Sequence, residues 1–227
     1  MADVNFLTSV PIFANLSGEQ LQSLPGKLQP RRYQRGEVIF HEDDPADRMH
    51  IIVEGRVKIS IASEDGRERD IALLQSGECF GEMALIDGSN RSATATAVDA
   101  TETMVLFRQD FLDFLSENPE VAADVNTLLV QRLRNVNQML GDMVFLDVPT
   151  RVAKQLLTLA EAYATEAKPG AAIVVAIGQD ELARLVGATR ETVSRALNSF
   201  RRLGMLDTSH RRITIIDLPG LEKMASF

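Results

Sequence analysis

Four glycines in charged or polar settings, Arg35-Gly36-Glu37, Glu54-Gly55-Arg56, Asp65-Gly66-Arg67 and Ser76-Gly77-Glu78, punctuate the chain from Arg35 to Glu78. Glycine reaches positive φ at little steric cost and marks tight turns. Between and beyond these turns lie short β-rich runs: Val38 to His41, His50 to Val53, Val57 to Ala62, Asp70 to Leu74, Ser92 to Val98 and Thr103 to Arg108. Many short strands at regular spacing predict an antiparallel sandwich or barrel.

After Phe111 the apolar period becomes helical, and a long helix is expected from about Glu120 to Leu146. Heptad lettering places Ala122, Leu129, Val136 and Met143 at a, with Val125, Arg132, Met139 and Leu146 at d. A seam of this kind needs a partner, and parallel pairing with a second copy is the simplest. Packing on the chain's own β domain is the alternative. Pro149 fits the first position of a following helix to about Ala164. The loop Glu166-Ala167-Lys168-Pro169-Gly170 and a strand at Ile173 to Ile177 come next.

Gln179 to Val186 reads as a helix burying Leu182, Ala183, Leu185 and Val186, and Gly187 supplies the left-handed residue that ends it. Thr189 is an N-cap for a second helix, to about Phe200. At 3.6 residues per turn, Val193, Ala196, Leu197 and Phe200 share one face, while Arg190, Glu191, Ser194, Arg195 and Asn198 share the other. Arg donates twice to guanine O6 and N7, and Glu accepts from cytosine N4, so this face suits base reading in duplex DNA. Arg184, Arg201, Arg202, Arg211 and Arg212 suit phosphates, which position without specifying. Gly204 ends the helix, and Met205 to Thr208 with Arg212 to Ile216 form an expected hairpin wing.

The net charge of −8 argues against a nucleic-acid partner until it is divided. Residues 150–227 hold 11 Lys and Arg against 8 Asp and Glu, whereas residues 1–149 hold 13 against 24. The basic part is the part with the helix pair. One cysteine, Cys79, reads as a packed thiol, and three histidines, His41, His50 and His210, form no metal spacing. No metal, haem or iron-sulfur cluster is expected, and no nucleophile or acid-base pair assembles into an enzyme site. The longest apolar run, Ala171 to Ile177, is too short to span a bilayer, and Asp3 stands where a secretory signal carries Lys or Arg. The expected location is the cytoplasm, with no membrane partner.

The remaining dense feature is Phe80-Gly81-Glu82-Met83-Ala84-Leu85, a loop Ile86 to Asn90, and Arg91-Ser92-Ala93-Thr94-Ala95. Glycine before helix-compatible residues offers backbone N–H groups to an anion. An Arg-Ser pair adds a charged fork and a hydroxyl, and a carboxylate accepts from a ribose hydroxyl. By themselves these residues also allow a surface loop with a Glu82–Arg91 ion pair.

The order of β-rich domain, cassette, long helix and helix-turn-helix, with Phe145-Leu146-Asp147-Val148 at the hinge, resembles the CRP/FNR (catabolite activator protein) family of bacterial transcription regulators. The resemblance covers about Phe6 to Ile216. It implies an α+β chain: an antiparallel β-roll of the double-stranded β-helix or jelly-roll kind (1–118), a dimerisation helix and hinge (119–147), and a winged helix-turn-helix (148–227). It further implies a cyclic nucleotide held by Gly81, Glu82, Met83, Ala84, Arg91 and Ser92, with Arg91 and Ser92 on the phosphate and Glu82 on the ribose. Thr189, Arg190, Glu191, Ser194, Arg195, Arg201 and Arg202 would meet DNA at a TGTGA-like palindrome, as a homodimer working with RNA polymerase. Where cyclic-AMP-responsive members carry a Thr-Ser pair on the long helix, this chain has Val136-Asn137; Asn137 offers a donor and an acceptor, Val136 neither. Cyclic AMP is the first choice of effector, with cyclic GMP and a cyclic dinucleotide open. A ligand-independent regulator and a cyclic-nucleotide regulatory subunit that does not bind DNA are the alternatives.

Overall fold

A computed structural model describes residues 4–24, 26–64, 66, 68–164, 172–209 and 212–226. Asp3, Asp65, Arg67, the expected loop Glu166 to Gly170, Ala171, His210 and Arg211 lie outside them. The chain forms two compact units, residues 1–135 and 136–227.

The first unit opens with α1 (Val4–Leu7), a 3-10 turn at Pro11–Phe13 and α2 (Gly18–Ser23), which is started by a capping box between Ser17 and Gln20. Eight strands follow: β1 (Gln29–Tyr33), β2 (Val38–Phe40), β3 (Arg48–Glu54), β4 (Val57–Ala62), β5 (Glu68–Leu74), β6 (Cys79–Phe80), β7 (Thr94–Ala97) and β8 (Thr101–Phe107). Between β6 and β7 lies α3 (Met83–Asp87). Every pairing is antiparallel, in two four-stranded sheets of order β1-β8-β3-β6 and β2-β7-β4-β5. The described punctuating glycines take φ between 78° and 90°, as turns of this kind require.

Among the described residues, two apolar clusters lie in this unit. Inside the roll, Ile52, Val57, Leu74, Phe80 and Ala95 are buried together with Phe40 and Ile59 packed against them. At its side, Leu7, Phe13 and Leu24 of the opening helices meet Met49, Ile51 and Leu106 of the sheet, Phe111 and Phe114 of α4 (Arg108–Glu117), and Val121 and Val125. Phe13 and Phe114 meet edge to face, with ring centroids 6.0 Å apart.

Val121 and Val125 begin α5 (Pro119–Phe145). With Leu128 and Arg132 they follow the i, i+4, i+7, i+11 stripe of one helix face, and Leu128 also packs on the side cluster. A different stripe is solvent-exposed: Leu133 at 59%, Val136 at 42%, Leu140 at 55% and Met143 at 40%. The expected seam is therefore corrected. Of its a row, Leu129 packs on the side cluster while Val136 and Met143 are exposed; of its d row, Val125 and Arg132 turn to the β-roll, and Leu133 and Leu140 are exposed with Val136 and Met143. The domain-packing alternative holds for the first half of the helix.

In the second unit, Asp147 Oδ1 accepts from Thr150 N at 2.9 Å and caps α6 (Val148–Ala164), so Pro149 is the second helical residue rather than the first. The hydrogen bonds from Thr150 hold the Asp147 carboxyl below the usual carboxylate range. Lys154 Nζ contacts both carboxylate oxygens of Asp142 at 2.7 Å, joining α6 to the end of α5. Then come β9 (Ile173–Val175), α7 (Gln179–Val186), α8 (Arg190–Arg202), β10 (Leu206–Ser209), β11 (Arg212–Ile215) and α9 (Leu218–Ala225). The three strands form one antiparallel sheet of order β10-β11-β9.

Candidate functional site

Gly81 ends β6 at φ 79°, and a Cβ built on it would lie 2.5 Å from Arg91 Nη1. Any larger residue would drive the guanidinium out of its place. Arg91 is only 4% exposed. Its backbone is pinned on both sides, since Asp43 N donates to Arg91 O and Arg91 N to Asp44 O, each at 2.9 Å. Its Nη1 donates to Gly81 O at 2.8 Å and its Nη2 to Arg48 O at 2.6 Å, while the guanidinium carbon sits 4.1 Å over the Phe40 ring. Burial pushes the Arg91 pKa down, with Asp47 pulling it back up. Its Nε is buried without a hydrogen-bond partner.

Glu82 is 1% exposed and is ion-paired to Arg132, which bonds both Glu82 Oε1 and the carbonyl oxygen of Cys79. The Glu82–Arg91 ion pair that the sequence allows is not formed. Glu82 Oε2, like Arg91 Nε, is buried and unpartnered. Met83 and Ser92 are exposed, with Ser92 Oγ 4.0 Å from Met83 Sδ, and Ala84 is buried in the first turn of α3. Helix first-turn N–H groups lack intrahelical partners. The cassette thus brings together Gly81, Glu82, Met83, Ala84, Arg91 and Ser92. Val136 and Asn137 are exposed residues of the second unit. Sequence reading missed Arg132, which its heptad lettering placed at d, and Phe40.

Arg91 and Glu82 each keep one buried polar atom without a partner, a donor on Arg91 and an acceptor on Glu82, and such a pair suits one ligand that carries an anion and a hydroxyl donor. Cyclic nucleotides have both.

Beneath this cassette His50 stacks on Phe80 at 4.9 Å, with Nδ1 3.3 Å from Thr103 Oγ1. Burial, then the charges of Arg91 and Arg48, lower its pKa to about 3. The folded chain holds it neutral while the unfolded chain protonates it below about pH 6.5. Its contribution to stability is present above pH 6.5 and is lost as pH falls toward 3, at roughly 1.4 kcal/mol per pH unit. Urea unfolding at pH 7 and pH 5 should show a smaller drop for His50→Gln than for the parent; an equal drop would assign the acid sensitivity elsewhere.

In the second unit, Gly187 caps α7 in the left-handed region at φ 65°, and Ala188 N donates to Ala183 O at 3.0 Å. Thr189 Oγ1 accepts from Thr192 N and caps α8. Val193, Ala196, Leu197 and Phe200 are buried, while Thr189, Arg190, Glu191, Arg195, Asn198, Arg201 and Arg202 are exposed and Ser194 is half-buried. Arg195 Nη2 donates to Thr192 Oγ1 at 3.1 Å. β10 and β11 pair Leu206 with Ile215 and Ser209 with Arg212, forming the expected hairpin.

Among the described residues, no helix is long and apolar enough to cross a membrane, and no group of three or more His, Cys, Asp or Glu is placed to hold a metal.

Residues 30–118 match the cyclic nucleotide-binding domain family, and residues 150–224 match the Crp-like helix-turn-helix domain family. The chain is 34% identical over 219 residues to a CRP-like cAMP-activated global transcriptional regulator of Mycobacterium tuberculosis, covering 96% of this chain and 98% of that one. It is also 34% identical over 215 residues to the cyclic AMP receptor protein of Thermus thermophilus, covering 95% and 96%. The crystal structure of the Thermus thermophilus catabolite activator protein superposes with a TM-score of 0.55 at 34% identity, covering 95% of this chain and 98% of that chain.

Proposed function

Because this chain belongs to the CRP/FNR family of bacterial transcription regulators, with a cyclic nucleotide-binding domain and a DNA-binding helix-turn-helix, we propose that it is a homodimer whose operator binding is gated by cyclic AMP. The observation that carries the ligand half is the pair of buried, unpartnered atoms, Arg91 Nε and Glu82 Oε2, on one cassette. In this reading the nucleotide phosphate takes Arg91 and Ser92, backbone of Gly81, Met83 and Ala84 lines it, and Glu82 accepts from the ribose hydroxyl. Val136 and Asn137 are the proposed base-side residues, and with valine in place of a hydroxyl the discrimination between adenine and guanine falls to Asn137.

On DNA, Arg190, Glu191 and Arg195 read base edges of a TGTGA-like half-site, Ser194 lies beside them, and Thr189, Arg201 and Arg202 hold phosphates. Two copies joined through α5 read half-sites about 34 Å apart, one DNA turn. RNA polymerase is the expected partner at the promoter.

A ligand shifts such an equilibrium only by binding the DNA-competent state more tightly. Operator affinity measured by fluorescence anisotropy should therefore rise about tenfold or more with saturating cyclic AMP, a differential of about 1.4 kcal/mol. Equal affinity with and without every cyclic mono- and dinucleotide would leave a ligand-independent regulator instead.

A further inference from the structure

Asp180 is the second residue of α7, and Arg190 is the first of α8. The two side chains meet across the turn, with Arg190 Nε 3.5 Å from Asp180 Oδ1. Both are well exposed, at 66% and 62%, and a pair so open to water adds little to folding. The atom it engages matters more. A guanidinium has five N–H donors, and the carboxylate lies nearest the Nε side, as a charge contact rather than a hydrogen bond. Nη1 and Nη2 stay available as the fork that fits guanine O6 and N7.

We propose that Asp180 is a specificity-positioning residue, which holds Arg190 by its Nε side so that the Nη edge is presented to a guanine. The inference rests on the base-reading assignment of α8. An arginine side chain loses much rotamer freedom when it docks, and a neighbour that fixes the guanidinium beforehand removes part of that loss. The cost falls on affinity. A carboxylate in the first turn of α7 occupies a helix N-terminus that would otherwise attract a phosphate, and it repels the DNA backbone.

Removing Asp180 therefore lowers discrimination without lowering affinity for random duplex. Dissociation constants are measured for the operator, for operators changed one base pair at a time, and for a random duplex, at one salt concentration with saturating cyclic AMP. Arg190→Ala first locates the base pair that Arg190 reads. Asp180→Ala should then lose about 3- to 10-fold discrimination at that pair alone, while random-duplex affinity stays equal or rises. Asp180→Glu should restore part of the discrimination, and in an Arg190→Ala background Asp180→Ala should change none of it.

A uniform gain on every duplex would make Asp180 a simple repeller, and a uniform loss would make it structural; either overturns the proposal. Where Arg190→Ala itself relaxes no base pair, the assignment of α8 fails and the proposal falls with it.

Discussion

Arg91→Ala should weaken cyclic-nucleotide binding by at least about a hundredfold, because two charge-assisted hydrogen bonds at about 1.5 to 3 kcal/mol each leave with the guanidinium. The side chain also satisfies the carbonyls of Gly81 and Arg48, so some fold stability goes with it. Isothermal calorimetry reads the first effect and thermal unfolding without ligand reads the second. Arg91→Lys separates them, since it keeps a charge but loses the planar fork and its stack on Phe40. A folded Arg91→Ala protein that still binds with parental affinity would remove the phosphate from this cassette.

The second large effect concerns α5. Leu133→Glu with Leu140→Glu puts two carboxylates on the exposed apolar stripe, where two leucines on each of two copies would be buried. Full burial of a leucine is worth about 1.5 to 3 kcal/mol, and with Leu133 59% and Leu140 55% exposed beforehand the association loses on the order of 3 to 7 kcal/mol. Sedimentation should show a monomer, and affinity for a full palindrome should fall about a thousandfold or more, because the second half-site is no longer tethered to the first. Binding of a single half-site should stay nearly unchanged. A variant that remains dimeric would move the interface off this stripe.

The stripe also marks where sequence reading reached its end. A heptad count fixes spacing along a helix, but the phase depends on which neighbour takes each face, and α5 has two claims on it. Val121, Val125, Leu128 and Arg132 face the roll; Leu133, one residue on, does not. The Glu82–Arg132 pair spans 50 residues of sequence, and no local pattern announces it. By contrast, α8 was legible to its buried face, because Thr189, Gly187 and the 3.6-residue period are local signals. β1 escaped notice for a local reason too: Pro30 reads as a breaker, and here it sits on an edge strand, where a missing N–H is tolerated. The two-residue β6 and the four- and six-residue helices of the N-terminus are too short to show a period.

The single thiol has a practical consequence. Cys79 is fully enclosed, and burial raises its pKa to about 12, with Glu82 adding to the rise. At neutral pH only roughly one molecule in 10⁵ would carry the thiolate even if reagent could reach it. The folded chain is therefore silent to alkylating dyes, and labelling begins only when the roll opens around β6. Cys79 serves as a built-in clock for that opening, and a cysteine introduced on the surface could be labelled alone without first removing it.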